Sequence, residues 1–250
     1  MFTAAAILTG LAAAFIIGFS KTALPGAALI AIPMIATVVE GRLVPGASLP
    51  ILLAGDVFAV AWYRRHTRWD LLRPLSLWVG VGFALGVTFF IQVGAATRSL
   101  EITIGLIVLL MVVLQVYKMR AGNERSDPDS PAAPYGIAGG FTTFVSNSAG
   151  PVMNTYLASL RLSKEELVGT TAVFYFVVNL AKIPFYLALG EWSDGGRFFT
   201  WDSLSYGALV VPGVLVGVVL GRRVFGIIPQ RAFLFLVLVL SGLGAIKLLF

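Results

Sequence analysis

The sequence predicts an all-α polytopic membrane protein made of two inverted five-segment repeats, each beginning with a broken, re-entrant helical hairpin. Three observations carry this expectation. Of 250 residues, 58% are hydrophobic and only 12% are charged, about half the charge of a soluble domain; with a mean hydropathy of +0.91, there is too little polar surface to clothe a water-soluble globule. Apolar runs of spanning length, roughly 17–25 residues, recur along the whole chain. Short strings from the first half also return, in order, in the second.

Ten apolar segments follow one another, at 2–19, 24–40, 46–63, 73–91, 98–118, 134–148, 150–161, 167–189, 203–221 and 229–249. Backbone amides in hydrocarbon must be satisfied within a segment, so these read as helices. Runs such as 102–116 lack the alternation that a barrel strand needs. The first segment reads as a permanent span, because no basic residue precedes it and the first lysine is Lys21. Residues 121–134 are rich in Pro, Ser and mixed charge, the composition of a solvated linker. The expected organisation is a first membrane repeat at 1–119, a cytoplasmic linker at 120–133 and a second membrane repeat at 134–250.

The repeat rests on ordered matches. Val44, Gly46, Asp56, Trp62 and Tyr63 line up with Val168, Gly169, Asn179, Phe185 and Tyr186 at offsets of 123–124. Trp69 and Asp70 match Trp201 and Asp202, and Gly82 and Gly86 match Gly213 and Gly217. Gly18 and Phe19 match Gly140 and Phe141, each followed by a polar stretch and a proline, Pro25 or Pro151. Five segments per half is an odd number, so the halves should lie in opposite orientations.

Charge tests this arrangement. With the loop around 64–73 cytoplasmic, the same side receives Lys21, Arg64, Arg65, Arg68, Arg73, Lys118, Arg120, Arg125, Arg161, Lys164, Arg222, Arg223 and Arg231, thirteen of eighteen basic residues. The net charge of +6 is thus a topology signal and no sign of nucleic-acid binding. If 2–40 and 134–161 were each a single broken crossing, Arg64 and Arg65 would face the side opposite Arg222 and Arg223. The expected protein crosses the membrane several times with both termini outside. Residues 134–161 number 28, so at ~1.5 Å per residue each arm reaches about 21 Å, short of a hydrocarbon core of ~30 Å. That pair reads as a re-entrant hairpin; 2–40 is longer and nearly crosses.

The hairpin tips carry the expected chemistry. The first break holds Gly18, Ser20, Lys21, Thr22, Pro25 and Gly26; the second holds Gly140, Ser146, Asn147, Ser148, Gly150 and Pro151. Proline in the first turn restarts a helix without losing a needed amide, and a restarted helix aims free N–H groups and about half a positive charge at the break. Two such ends from opposite repeats would make one anion site near the midplane. The substrate ligands expected there are Ser20, Lys21, Thr22, Ser146, Asn147 and Ser148, with Asn179 and Lys182 further along. The alternative is that the hydroxyls merely back-bond within kinked helices. Gly18 and Lys21-Thr22 do not make a P-loop, because Ser20 stands where that motif needs Gly.

Intramembrane charges usually face a cavity or a partner. Lys182 reads either as an attractor of anionic substrate or as the neutralising partner of Asp56. Asp56 reads either as a structural partner or as the carrier of a coupling proton. Trp62, Trp69, Trp78, Trp192 and Trp201 fit interfacial anchoring, and Gly82 and Gly86, like Gly213, Gly217 and Gly221, fit close helix packing. Glu165 and Glu166 suit a helix N-terminus. With no Cys and one His, His66, no disulfide, metal site or cofactor is expected. The usual acid–base and nucleophile sets of an intramembrane enzyme are missing too.

The strings Gly18-Phe19-Ser20-Lys21-Thr22-Ala23-Leu24-Pro25-Gly26, Ala54-Gly55-Asp56-Val57-Phe58-Ala59, Ser146-Asn147-Ser148-Ala149-Gly150-Pro151 and Asn179-Leu180-Ala181-Lys182-Ile183-Pro184, in this order over nearly the full length, resemble the sulfite exporter TauE/SafE-type permease family (toluene sulfonate uptake permease family). The resemblance implies a secondary transporter, an exporter, in the bacterial inner (plasma) membrane with its termini in the periplasm, for a small sulfur-containing anion such as sulfite, an organosulfonate or thiosulfate, with ion coupling suggested. An anion channel and a transporter of small organic carboxylates stay open as alternatives. The expected partners are the small anion and the lipid bilayer, with homo-oligomer formation left open.

Overall fold

The structure, a computed structural model, describes residues 2–39, 43–93, 106, 109, 113, 117, 132–146, 149–160, 162–192 and 198–249. Among them every regular element is helical. The α-helices are α1 Ala4–Thr22, α2 Ala31–Ala36, α3 Val44–Tyr63, α4 Trp69–Val93, α5 Ala132–Ser146, α6 Ala149–Ser159, α7 Lys164–Trp192, α8 Trp201–Ile227 and α9 Gln230–Leu249, with 3₁₀ turns at Ala27–Ile30 and Arg64–His66. Spans Ala4–Thr22, Gly46–His66, Trp69–Phe89, Lys164–Ala188 and Trp201–Ile227 are long and apolar enough to cross a membrane. The chain is a multi-pass membrane protein.

Several helices outrun the apolar runs that announce them, because hydropathy marks hydrocarbon contact whereas a helix continues until it is capped. Thr200 starts α8 with a reciprocal capping box: its Oγ1 accepts from the Ser203 amide at 3.1 Å and its own amide donates to Ser203 Oγ at 2.9 Å. Ser163 and Glu166 start α7 in the same way, so the acidic first turn expected there is present.

One expectation changes: the segment at 24–40 is not one helix. Pro25 offers no amide, Gly26 turns through a left-handed φ of 107° that only glycine adopts without strain, and the chain resumes as the short 3₁₀ turn and the six-residue α2. The fifth segment, 98–118, lies outside the described residues except for Leu106, Leu109, Val113 and Tyr117, which are helical. The linker likewise lies outside them up to residue 131, and its last two positions, Ala132 and Ala133, already belong to α5.

The chain divides into two compact units, Met1–Thr67 with Val168–Ile228, and Arg68–Leu167 with Pro229–Phe250. In the first, α1 packs on α8 through small residues: a Cβ on Gly18 would collide with the Val214 carbonyl, and one on Gly217 with the Phe15 carbonyl. This contact lets dispersion act between backbones where lipid removes the hydrophobic drive. Ala13, Ala14, Ile17, Ile51, Val210, Val214 and Val218 fill the core beside it. The buried Tyr206 hydroxyl donates to the Ala6 carbonyl at 2.9 Å.

In the second unit α4 packs on α5 by the same device. A Cβ on Gly82 would meet the Ile137 carbonyl, and one on Gly140 the Val79 carbonyl; Phe83 and Phe144 meet edge to face at 4.8 Å. α5 and α6 form a hairpin broken between 146 and 149, closed by Tyr135 against Tyr156 at 5.0 Å. With 15 and 11 residues, its arms reach only about 22 and 16 Å. Arg68 bridges Asp70 at 2.6 Å and Glu166 at 3.4 Å. The hydrogen-bonded Asp70 carboxylate raises the pKa of the Arg68 guanidinium above its ordinary value.

Candidate functional site

A cluster of charged and amide side chains is buried inside the first unit. α1 brings Lys21 to it from its last turn. The Lys21 stem passes Gly55, where a Cβ would stand 3.1 Å from Lys21 Cγ. α3 supplies Asp56 from its interior, and α7 supplies Tyr175, Asn179 and Lys182, which share one helical face at i, i+4 and i+7. Pro184, two residues beyond, removes the amide that would have bonded the Leu180 carbonyl.

The contacts form a chain. Lys21 Nζ lies 2.6 Å from Asp56 Oδ1. The Asn179 amide donates to Asp56 Oδ2 at 2.7 Å and accepts from Lys182 Nζ at 3.1 Å. Lys21 Nζ also sits 4.5 Å from the centre of the Tyr175 ring, a cation–π distance. Asp56 is fully buried, Lys182 and Asn179 are 1% and 2% exposed, and the Lys21 side chain is 11% exposed. Two lysine amines and one carboxylate therefore lie in one network with almost no water.

The structure thus brings Lys21, Asp56, Asn179 and Lys182 together and assigns their pairing. Lys21, and not Lys182, is the ion-pair partner of Asp56; Lys182 reaches Asp56 through the Asn179 amide. Asp56 and Asn179, which the sequence aligns with each other, are joined by this hydrogen bond. Asn179 is bound on both sides of its amide, which fixes its orientation.

The other expected ligands fall out differently. The Ser20 hydroxyl donates to the Leu24 carbonyl at 3.2 Å. Thr22 Oγ1 lies 3.2 Å from the Gly18 carbonyl and 3.0 Å from the Val218 carbonyl. Both hydroxyl protons are directed at backbone, as the back-bonding alternative has it. Tyr63 Oη donates to the Thr22 carbonyl at 3.1 Å, satisfying one of the orphan acceptors at the end of α1.

Pro25 precedes the restart instead of sitting in its first turn, and the helix beyond Gly26 is too short for a strong dipole. The positive charge at this break is therefore the Lys21 ammonium. At the second break Gly150 and Pro151 lie in the first turn of α6, and Ser146 ends α5; Asn147 and Ser148 lie outside the described residues. Residues 18–26 belong to the first unit and 140–151 to the second.

Two residues escaped the sequence reading. Tyr175 Oη is buried without a hydrogen-bond partner, and its only signal was its spacing one turn before Asn179. Asn154 is fully buried in α6 with neither amide atom bonded; an isolated amide in an apolar run gives no pattern to read. No group of three or more potential metal ligands occurs among the described residues.

A family model described as Sulfite exporter TauE/SafE matches residues 10–248. No curated protein and no solved structure matches the chain.

Proposed function

Because the chain belongs to the sulfite exporter TauE/SafE family, we propose that it is a secondary transporter that exports a small sulfur-containing anion, such as sulfite, an organosulfonate or thiosulfate, by alternating access. The observation that carries this reading is the buried Lys21–Asp56–Asn179–Lys182 cluster, which joins residues of three helices in one polar network inside an apolar interior. An incoming oxoanion competes with Asp56 for Lys21 and lies within the same polar network as Asn179 and Lys182. Asp56, released from its ammonium, is then the group that accepts a coupling proton.

The duplication supports alternating access. Gly18 meets Val214 as Gly140 meets Val79, and Gly217 meets Phe15 as Gly82 meets Ile137. In these contacts each α8 residue lies 135 positions after its α4 counterpart, one helical turn beyond the register read from sequence, so Gly82 and Gly86 correspond to Gly217 and Gly221. Two units packed by equivalent contacts are what an inverted repeat would build, and the short arms of α5 and α6 suit a re-entrant hairpin. The positive-inside bias supports an inner-membrane orientation with both termini in the periplasm.

The test is sulfite binding and counterflow with purified protein in liposomes. Sulfite should raise the thermal stability of the wild type, as any ligand selective for the folded state must. Lys21→Ala, Asn179→Ala and Lys182→Ala should each weaken binding by about 10- to 100-fold, the range of a hydrogen bond to a charged group. Unchanged affinity in all three rejects the site. Asp56→Asn should lose pH-driven accumulation and retain counterflow. Large unsaturating currents in place of counterflow would establish a channel, and a preference for small carboxylates over sulfite would change the substrate class.

A further inference from the structure

Where α3 ends beside α8, Trp62, Val219, Arg222 and Arg223 line a cavity of about 350 Å³. The Arg222 guanidinium lies 4.6 Å over the Trp62 ring, and Tyr63 packs edge to face on Phe225 at 5.3 Å, which holds the two helix ends together. Arg222 and Arg223 are exposed, and among the described residues neither is in a salt bridge with a carboxylate. Arg64 and Arg65, exposed in the 3₁₀ turn after α3, add to a cationic end with no acid among its lining residues.

The character changes along one face of α8. Val216, Val219 and Leu220 are exposed, and Arg223 follows them at i+7, i+4 and i+3, so the guanidinium crowns an apolar strip. Exposed aliphatic side chains on a spanning helix face acyl chains. An indole beside them marks the headgroup level, where amphipathic rings concentrate.

This geometry points to a binding site for the headgroup of an anionic phospholipid. The phosphodiester takes the planar guanidinium donors, the glycerol region lies against Trp62, and an acyl chain runs along Val219 and Val216. A zwitterionic lipid carries the same phosphate but brings its own cation toward two arginines, so the site selects net negative headgroups. The cavity is separate from the buried cluster of Lys21 and Asp56, and this assignment stands whether or not that cluster carries the substrate.

Retention of phosphatidylglycerol against phosphatidylcholine by the purified full-length protein tests it, using native mass spectrometry and thermal shift in mixed micelles. The wild type should prefer phosphatidylglycerol by about tenfold or more. Arg222→Gln/Arg223→Gln should lose that preference while keeping sulfite counterflow. Equal retention of both lipids by the wild type, or an unchanged preference in the double variant, overturns the proposal. Inorganic phosphate matching the stabilisation by phosphatidylglycerol would make this a site for soluble oxoanions, and so overturns it as well. Should the double variant not fold, wild-type salt dependence decides: the preference should shrink as ionic strength rises from about 0.05 M to about 0.5 M, since exposed charges are screened, and a salt-independent preference counts against the site.

Discussion

At Asn154 the donor and the acceptor of one side-chain amide are both buried without a partner, and a buried unsatisfied group costs about 1–3 kcal/mol. Asn154→Leu, with the same number and branching of side-chain heavy atoms and no polar ones, should therefore raise stability, read as an upward shift of the unfolding midpoint in detergent. A less stable variant would mean that the amide is bonded after all. The same reasoning separates the two halves of Tyr175. Tyr175→Phe keeps the ring face beside Lys21 and removes only the unpartnered hydroxyl. It should leave the ligand-free protein as stable or more so and weaken sulfite by about two- to tenfold, the worth of one ordinary hydrogen bond; a stability loss with unchanged affinity would make the hydroxyl structural. Lys21, Asp56, Asn179 and Lys182 were legible as candidates because an ionisable group in an apolar run is conspicuous. Their pairing was not legible: the sequence offered Lys182 as the partner of Asp56, and only the packing of three helices assigned Lys21 to it.

Among helices, glycine placement decides which surfaces can touch. Gly82 lies against the Ile137 carbonyl, whereas a Cβ on Gly80, two residues earlier on α4, would meet nothing within 4 Å. Gly80→Ala should be neutral or stabilising by about 0.5–1 kcal/mol, the helical advantage of alanine. Gly82→Ala should cost about 1–3 kcal/mol as an overpacked contact, and the two unfolding midpoints compared side by side check both. The stripes were visible in sequence as glycines at helical spacing. Their register was not, because a four-residue pattern looks the same when slid by one turn, and only the packed helices show that Gly213 faces the Leu11 carbonyl and Gly217 the Phe15 carbonyl. The break at 18–26 was visible from Pro25 and Gly26, but its continuation as a 3₁₀ turn and a short helix was not, since a run of apolar residues does not report its own backbone twist.

Over the whole molecule, the chain passes between its two compact units at 67/68, 167/168 and 228/229. Each passage lies near basic residues: Arg64, Arg65 and Arg68 at the first, Lys164 at the second, Arg222, Arg223 and Arg231 at the third. On the proposed topology all three are cytoplasmic. The chain has no cysteine, so single cysteines can report sidedness without background. His66→Cys should react with an impermeant maleimide only in inverted vesicles, and Thr3→Cys only in intact cells freed of outer membrane; reaction of both from one side would refute the orientation.

The amino-acid order alone determined that this is a helical multi-pass membrane protein, where its helices break and which polar residues are stranded among apolar ones. Those are local matters of composition, backbone satisfaction and the cost of a charge in hydrocarbon. Only the tertiary structure decided that Lys21 pairs with Asp56, that Asn179 relays to Lys182, that the Ser20 and Thr22 hydroxyls turn back on the backbone, and that Arg222 lies over Trp62. Each of these depends on distances between helices far apart in sequence, which hydropathy does not encode and close packing sets.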